Sequence, residues 1–445
     1  MTWKELELTG WGRSSRADCR AARPERWRDA VTAIEQAGER GVLAFGAGRS
    51  YGDTGLNAGG GAVLTERLNR ILAFDHTTGE IVTEPGVTFR DLLEVFLPRG
   101  FLVPVSPGTA YATIGGAVAN DVHGKNHEAV GSFGHYVRWF EILVPSGDIV
   151  RASPEERPEL FAATIGGIGL TGILLAVCFE MTRVPSNAVA LREQRVRDLD
   201  AFLDALKNEG EKAHYSVGWI DALAGGRSIG RGILETAEPS NEKIAERPRR
   251  TRAVPMDCPG FLLNRLSVKA FNNLYYRRFA RRERRRRLAY ARFLYPLDAL
   301  LDWNRLYGAR GFHQFQCVVP FEAGATALRQ LLDAVRAGKN ASPLAVLKAL
   351  GRAGLGHLSF PMPGYTLAVD LPRKRGIEDL LAKLETITLD YGGRIYLAKD
   401  SCLSAEGFAR MYPKLGHFRT VLADIDADGR MASDMARRLR IRDGS

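Results

Sequence analysis

VSPGTAYATIGGAVANDVHGKNHEAVGSFG, residues Val105 to Gly134, is built largely from Gly, Ala, Ser and Thr. Such a segment has too few bulky side chains to make a core of its own. Small residues let the backbone approach a neighbouring group closely, and glycine takes turns that other residues resist. Pro107 and Gly108 punctuate a turn after the apolar run Phe101 to Val105. Thr113-Ile114-Gly115-Gly116-Ala117 reads as the opening of a short helix, whose free N–H groups can face an anion. His123 and His127, two of the chain's eight histidines, flank Lys125. Taken alone, the stretch fits a tight helix–loop packing site and a cofactor cradle equally well.

Working outward, Val42 to Asp53 reads VLAFGAGRSYGD. Its four leading apolar residues predict a short buried strand. Gly46, Gly48 and Gly52 follow, interleaved with Arg49, Ser50 and Tyr51, and such a loop can offer amides and a guanidinium to a pyrophosphate. The glycines do not fit G-x-G-x-x-G and no clean helix follows, so this is not a Rossmann fingerprint. A third glycine-rich loop runs from Ile165 to Gly172. Three such loops in one N-terminal half point to a large, extended cofactor touched from several places.

The chain has 445 residues, enough for two or three domains and an ample core. Hydrophobic residues at 45% and charged residues at 25% are ordinary for a globular protein. The net charge of +11 favours anionic partners: nucleic acid, phosphorylated substrates or acidic lipid. Five scattered cysteines without C-x-x-C indicate neither a disulfide framework nor a zinc site. The N-terminus lacks a continuous apolar core, and the most apolar run, Ile165 to Phe179, is broken by glycines and too short to span a bilayer. The expectation is a cytoplasmic protein, peripheral on a membrane.

Helices are expected over 24–41, Phe89 to Phe96 (capped by Thr88 and Asp91), Asp198 to Lys207, Gly324 to Ala337 and Ile377 to Tyr391. Strands are expected at Val42 to Phe45, Ile81 to Glu84, Ala188 to Val196, Tyr215 to Ile220, Gly232 to Glu235, Gln314 to Val319 and Tyr365 to Leu371. A hairpin is expected between Val137 to Val144 and Asp148 to Ala152. The pattern predicts an α+β chain in three segments. Residues 1–186 would bind the cofactor and 187–395 would form an antiparallel substrate sheet covered by helices. Residues 396–445 would return to the first domain. Residues 277–287 read RRFARRERRRR. A solvated loop or helix face is the ordinary reading of such a run. Contact with an acidic membrane surface and nucleic-acid binding compete with it.

Together these stretches resemble the vanillyl-alcohol-oxidase (PCMH-type) FAD-binding domain. More closely, they resemble the decaprenylphosphoryl-β-D-ribose 2-epimerase flavoprotein-subunit family of arabinan precursor synthesis. The resemblance is carried in order by GRSYGD at Gly48 to Asp53, PGT…TIGGA within Pro107 to Ala117, and HGKNH…GSFG within His123 to Gly134. GLTGI at Gly169 to Ile173, YLAKDS at Tyr396 to Ser401 and SDMARRL at Ser433 to Leu439 complete it.

It implies a two-part FAD-binding domain with a substrate domain, and FAD held without a covalent bond. The cofactor residues it implies are Ala44, Phe45, Gly46, Ala47, Gly48, Arg49, Ser50, Tyr51, Gly52, Asp53, Thr54, Gly108, Thr109, Thr113, Ile114, Gly115, Gly116, His123, Leu174, Tyr396 and Lys399. Lys399, His123 and Tyr51 are the implied catalytic groups, with Lys399 first for handling the substrate hydroxyl. Lys125, Tyr295, Gln314, Gln316, Lys348, Thr366 and Ala368 are the implied substrate contacts.

The implied reaction oxidises the 2′-hydroxyl of a polyprenyl-phosphoryl pentose to a keto sugar, the first half of an epimerisation. The implied partners are a lipid-linked phosphoryl sugar, an NAD(P)H-dependent keto-sugar reductase and an acidic membrane surface met by Arg277 to Arg287. No nucleic acid is expected. The family's active-site Cys, the point of attack of nitroaromatic inhibitors, falls at Ala368. An Asn becomes Thr366, and an aromatic near Lys348 becomes Leu350. An alditol or aldonolactone oxidase would keep the FAD loops without needing the arginine run. A nucleic-acid-binding protein would explain the charge and leave the three glycine loops unexplained.

Overall fold

The computed structural model describes residues 2–245, 251–278, 283–338 and 342–442. The apolar run Val42–Phe45 is a strand, paired parallel with Gly61–Leu64, which pairs parallel with Arg16–Ala22. An N-terminal hairpin of Trp3–Thr9 with Arg16–Ala22 completes a four-stranded sheet. The helix expected over 24–41 is confined to Trp27–Glu35. Its buried face is Ala30, Ala33 and Ile34, while Trp27 turns outward beneath the Arg28 guanidinium. Packing by small alanines, rather than by the indole, sets its orientation.

A second sheet is antiparallel throughout, in the order Ile71–Phe74, Glu80–Thr83, Ile173–Glu180, Val137–Leu143 and Ile149–Ala152. Ile173–Glu180 reads ILLAVCFE because it is the central strand and is buried almost throughout. The expected hairpin occupies one edge. Helix Phe89–Phe96 starts in a full capping box. The Thr88 hydroxyl accepts from the Asp91 amide at 3.2 Å, and the Asp91 carboxylate accepts from the Thr88 amide at 2.9 Å. Helix Ile114–Ala119 starts likewise at Thr113, whose hydroxyl accepts from the Gly116 amide.

The third sheet has eight antiparallel strands. Their order is Glu283–Ala289, Ala188–Val196, Gly232–Pro239, Tyr215–Ile220, Ala345–Leu350, Gly364–Pro372, Phe312–Val319 and Arg394–Ile395. Side chains alternate between its faces. Phe315, Cys317, Val319, Leu367 and Val369 join Leu328, Leu331 and Leu384 of helices Gly324–Ala337 and Ile377–Asp390 in one core. Gln314, Gln316 and Ala368 face the other way and floor a cavity. The chain is therefore α+β.

The run 277–287 departs from the loop or helix face expected of it. Glu283–Ala289 is the edge strand of the large sheet, paired with Ala188–Val196; residues 279–282 lie outside the described residues. The reason is Glu193, whose side chain has no exposed area. Arg278, Arg284 at 2.7 Å and Arg286 at 3.1 Å all donate to its carboxylate. Burial works to raise the Glu193 carboxyl, but the three guanidiniums outweigh it and hold it below the usual range. Alternation turns Arg285 and Arg287 outward, toward Glu283 and Glu242.

Beyond the large sheet the chain returns to the first. The Tyr51 amide donates to Ala398 O at 2.9 Å, and the Thr54 hydroxyl donates to Leu397 O at 2.9 Å. Arg438 grips Asp53 through two bonds of 2.8 Å and Asp400 through a third of the same length.

Candidate active site

A cavity of about 840 Å³ runs between the glycine loops and the open face of the large sheet. At one end Ala44 to Gly52, Thr54, Gly108, Thr109, Thr113, Gly115, Gly116, His123, Leu174, Tyr396 and Lys399 line it. Across the sheet, Gln316 pairs with Ala368, Ala368 with Val346, and Val346 with Trp219, so these four form one row of the floor. Lys125, Glu235, Tyr275, Arg278, Arg284, Arg286 and Leu288 carry the wall onward to the edge strand.

The loop 46–54 is shaped for close approach. A Cβ on Gly52 would stand 1.8 Å from Asp400 O, so only glycine lets GRSYGD close on YLAKDS. Among the described residues, the amides of Ala47, Gly48, Arg49 and Ser50 donate to no other backbone group, and all four residues line the cavity. Among the described residues, the buried atoms Arg49 Nε, Asn120 Oδ1 and His123 Nδ1 of lining residues also have no hydrogen-bond partner. Burial lowers the Arg49 guanidinium from its ordinary value. A row of amides and a half-buried guanidinium along an extended cleft fit a dinucleotide with a pyrophosphate in its middle, which is FAD's chemistry.

Lys399 Nζ lies 3.7 Å from the centroid of the Tyr51 ring. Burial lowers its ammonium to about 7, Lys348 pushes the same way, and Asp370 opposes both. Asp370 is fully buried and bonded by Gln314 and by Tyr307 OH, the latter at 3.2 Å. Burial raises its carboxyl to about 7. Near neutral pH the pair can therefore hold or release a proton. Tyr51 stays a neutral phenol, since burial raises it well above its ordinary value.

Gln316 Nε2 lies 2.9 Å from His123 Nε2 and 3.3 Å from Thr366 Oγ1. Burial, followed by Lys348, His127 and Lys399, lowers His123 well below its ordinary value, so the imidazole is neutral. With Nε2 accepting from the Gln316 amide, the proton is assigned to Nδ1. His123 is then a neutral, buried imidazole whose Nδ1 has no hydrogen-bond partner among the described residues. Lys348 Nζ donates to Gly124 O at 3.2 Å, and burial, then Lys125, lowers it to about 8. Lys125 Nζ donates to Phe293 O at 2.6 Å and stands 3.9 Å from Glu235.

Four expected site residues do not line the cavity. Asp53 is buried under the loop, where its carboxylate anchors Arg438. Ile114 points into the core from the first turn of its helix. Tyr295 lies behind the wall with its hydroxyl against Ser106. Thr366 stands beneath Gln316 and orients its amide. Gln314, Gln316, Lys125, Lys348 and Ala368 do line it. Sequence reading missed Asp370, although Thr366, Ala368 and Asp370 alternate in TLAVD and so share one face of a strand. It also missed Asn120, Trp219 and the inward Arg278, Arg284 and Arg286, whose places depend on the pairing of distant strands.

The fold and site define an FAD-dependent oxidoreductase acting on a CH–OH group. Residues 20–153 match the FAD binding domain family, and residues 366–439 match the D-arabinono-1,4-lactone oxidase family. The chain is 37% identical to decaprenylphosphoryl-β-D-ribose oxidase of Mycolicibacterium smegmatis, over 98% of this chain and 97% of the relative. It belongs to the decaprenylphosphoryl-β-D-ribose oxidase family. An uncharacterized protein of Streptomyces coelicolor is 33% identical over 79% of this chain and its own full length. Human Δ(24)-sterol reductase is 27% identical over 39% of this chain and 34% of its own.

Proposed function

We propose that this protein oxidises the 2′-hydroxyl of a polyprenyl-phosphoryl pentose to the keto sugar. The observation that carries this reading is the single cavity joining the glycine loops and Lys399 to a basic, aromatic channel over the large sheet. Of its eleven charged lining residues, eight are basic. Cations suit a phosphodiester, and Trp219, Tyr275, Leu300 and Leu301 suit an isoprenoid tail.

FAD held by the glycine loops would supply the acceptor for the hydride of the carbinol carbon. The chain's own groups do the rest. Neutral Lys399 takes the hydroxyl proton, and Asp370 fixes the charge beside it. Neutral His123 holds the Gln316 amide, and Gln314 and Gln316 orient the sugar. Lys125 and Lys348 face the phosphoryl group. The noncovalent FAD contacts expected from Ala44 to Thr54, Gly108, Thr109, Thr113, Gly115, Gly116, Leu174 and Tyr396 belong to the same reading. So does the division at residues 186 and 395, which the eight-stranded sheet from Ala188 to Ile395 supports. A reductase using NAD(P)H would consume the keto sugar.

Among the described residues no helix is long and apolar enough to cross a membrane. We assign a peripheral contact on an acidic surface to the outward members of the run, Arg277, Arg285 and Arg287. The test of function is anaerobic mixing of the holoprotein with a short-chain prenyl-phosphoryl ribose, following loss of flavin absorbance and the mass of the keto product. Bleaching by that compound and by no free alditol is the expected result. The match of residues 366–439 to a lactone oxidase family favours a second reading. Bleaching by an aldonolactone alone would select it.

A further inference from the structure

Fifteen large hydrophobic residues are exposed on the described chain, and six of them fall between Met256 and Leu274: Met256, Phe261, Leu262, Leu266, Phe271 and Leu274. Helix Arg265–Tyr276 explains part of this. Val268 and Asn272 are its buried residues, and Asn272 donates to Asp221 at 2.7 Å. Leu266, Ala270 and Leu274 recur every four residues on the opposite face, where Leu266 is 82% exposed and Leu274 74%. A soluble helix normally keeps that face polar.

The C-terminal end of this helix reaches the cavity. Tyr275 of this helix packs edge-on against Trp219, and both line the cavity with Arg278. On the other flank, Arg252–Ala253 pairs with Leu300–Leu301, two further lining residues. The helix therefore packs on Leu223 and Asp221, meets the substrate channel at Tyr275 and leaves an apolar side outside.

We infer that this outer face, Met256 to Leu274, inserts into the headgroup–acyl boundary of an anionic bilayer, so that a lipid-linked substrate enters the cavity from the membrane. The inference rests on the lipid-linked substrate proposed above. Charge selects the occupant. From Met256 to Arg277 the charged residues are Asp257, Arg265, Lys269 and Arg277, and Asp257 is held by Arg13 and Arg305. A second copy would set like charge against like, whereas anionic lipid complements it. The contact differs from purely electrostatic docking by Arg285 and Arg287, because apolar insertion survives salt that screens surface charge.

The experiment is flotation of full-length holoprotein with vesicles of zwitterionic lipid and of mixed zwitterionic and anionic lipid, at low and high salt. The parent should bind the mixed vesicles and keep part of that binding at high salt. The triple variant Leu266→Ser, Phe271→Ser, Leu274→Ser should lose the salt-resistant part, a drop of roughly ten- to a hundredfold in partition. It should keep its flavin and its bleaching by a short-chain, water-soluble substrate. Arg285→Ser with Arg287→Ser should lose only the salt-sensitive part. The single variant Leu274→Trp, which leaves the rest of the face in place, should shift its emission to the blue on mixed vesicles. Unchanged flotation of the triple variant, or an unshifted Leu274→Trp, overturns the inference. So does a parent dimer that the triple variant dissolves, which would give the face to a second copy. Failure of every phosphoryl pentose to bleach the parent would instead overturn the proposed reaction, whatever the vesicles show.

Discussion

Lys399 has three influences acting on one proton. Burial lowers its ammonium, Lys348 lowers it further, and Asp370 raises it, leaving a group that titrates near 7. A base works only unprotonated, so flavin reduction should rise with pH through about 7. Asp370→Asn removes the opposing carboxylate and should move that limb to lower pH. Lys348→Met removes a cation and should move it to higher pH. Stopped-flow pH profiles of the two variants check the pair, and shifts of the same sign would count against the assignment. Lys399→Met should slow reduction by about 10²–10⁴-fold with flavin content unchanged. Ala368 occupies the floor beside Gln316 and offers no nucleophile. Cys402 is exposed but belongs to a separate small cleft with His313 and Ser401. Mass spectrometry after turnover with a nitroaromatic inhibitor should therefore find no stoichiometric adduct on any cysteine.

Two loops, rather than a helix or strand, make the junction at the heart of the site. GRSYGD closes on YLAKDS through the Tyr51 amide, the Thr54 hydroxyl and the bare Cα of Gly52. Gly52→Ala puts a methyl group against Asp400 O at a separation no packing tolerates. The variant should lose FAD on gel filtration even where it stays folded by circular dichroism. Thr88→Ala is the contrasting change, since it removes the cap of a helix through a residue that does not itself line the cavity. It should cost about 1 kcal/mol in thermal unfolding and leave the flavin spectrum alone. The arginine strand shows the same logic on a sheet edge. Successive residues face opposite ways, so Arg284 and Arg286 belong to the cavity wall and Arg285 and Arg287 to the surface.

Across the whole molecule, Arg438 is the clasp. It binds Asp53 beneath the first glycine loop and Asp400 beside Lys399, joining the C-terminal segment to the front of the chain. Arg438→Met leaves two buried carboxylates facing each other and should destabilise the protein by about 3–5 kcal/mol. Calorimetry in excess FAD should recover part of that loss, because ligand binding to the native state adds stability. Acid precipitation of the parent should leave the flavin in the supernatant. Colour retained in the pellet would mean a covalent attachment.

The α+β class, the central strands and the three glycine loops were legible in the sequence, because alternation, apolar runs and small residues are local properties of the chain. The family motifs likewise carried FAD and the oxidoreductase class. Asp53, Ile114, Tyr295 and Thr366 could not be placed one shell behind the cavity from sequence, since what a side chain faces depends on the strand or loop packed against it. Asp370 could have been found from the alternation in TLAVD, yet its carboxyl is raised by burial in the folded chain, against the opposing pull of Gln314, Lys399 and Tyr307. The arginine run is the clearest division. Composition gives eight arginines in eleven residues, but Glu193 on another strand decides which of them turn inward. The shortened first helix was decided in the same way, since Ala30, Ala33 and Ile34 pack with Leu143, Ile173 and Met431, far along the chain. Local periodicity sets what a segment can be, and long-range pairing sets what its side chains meet.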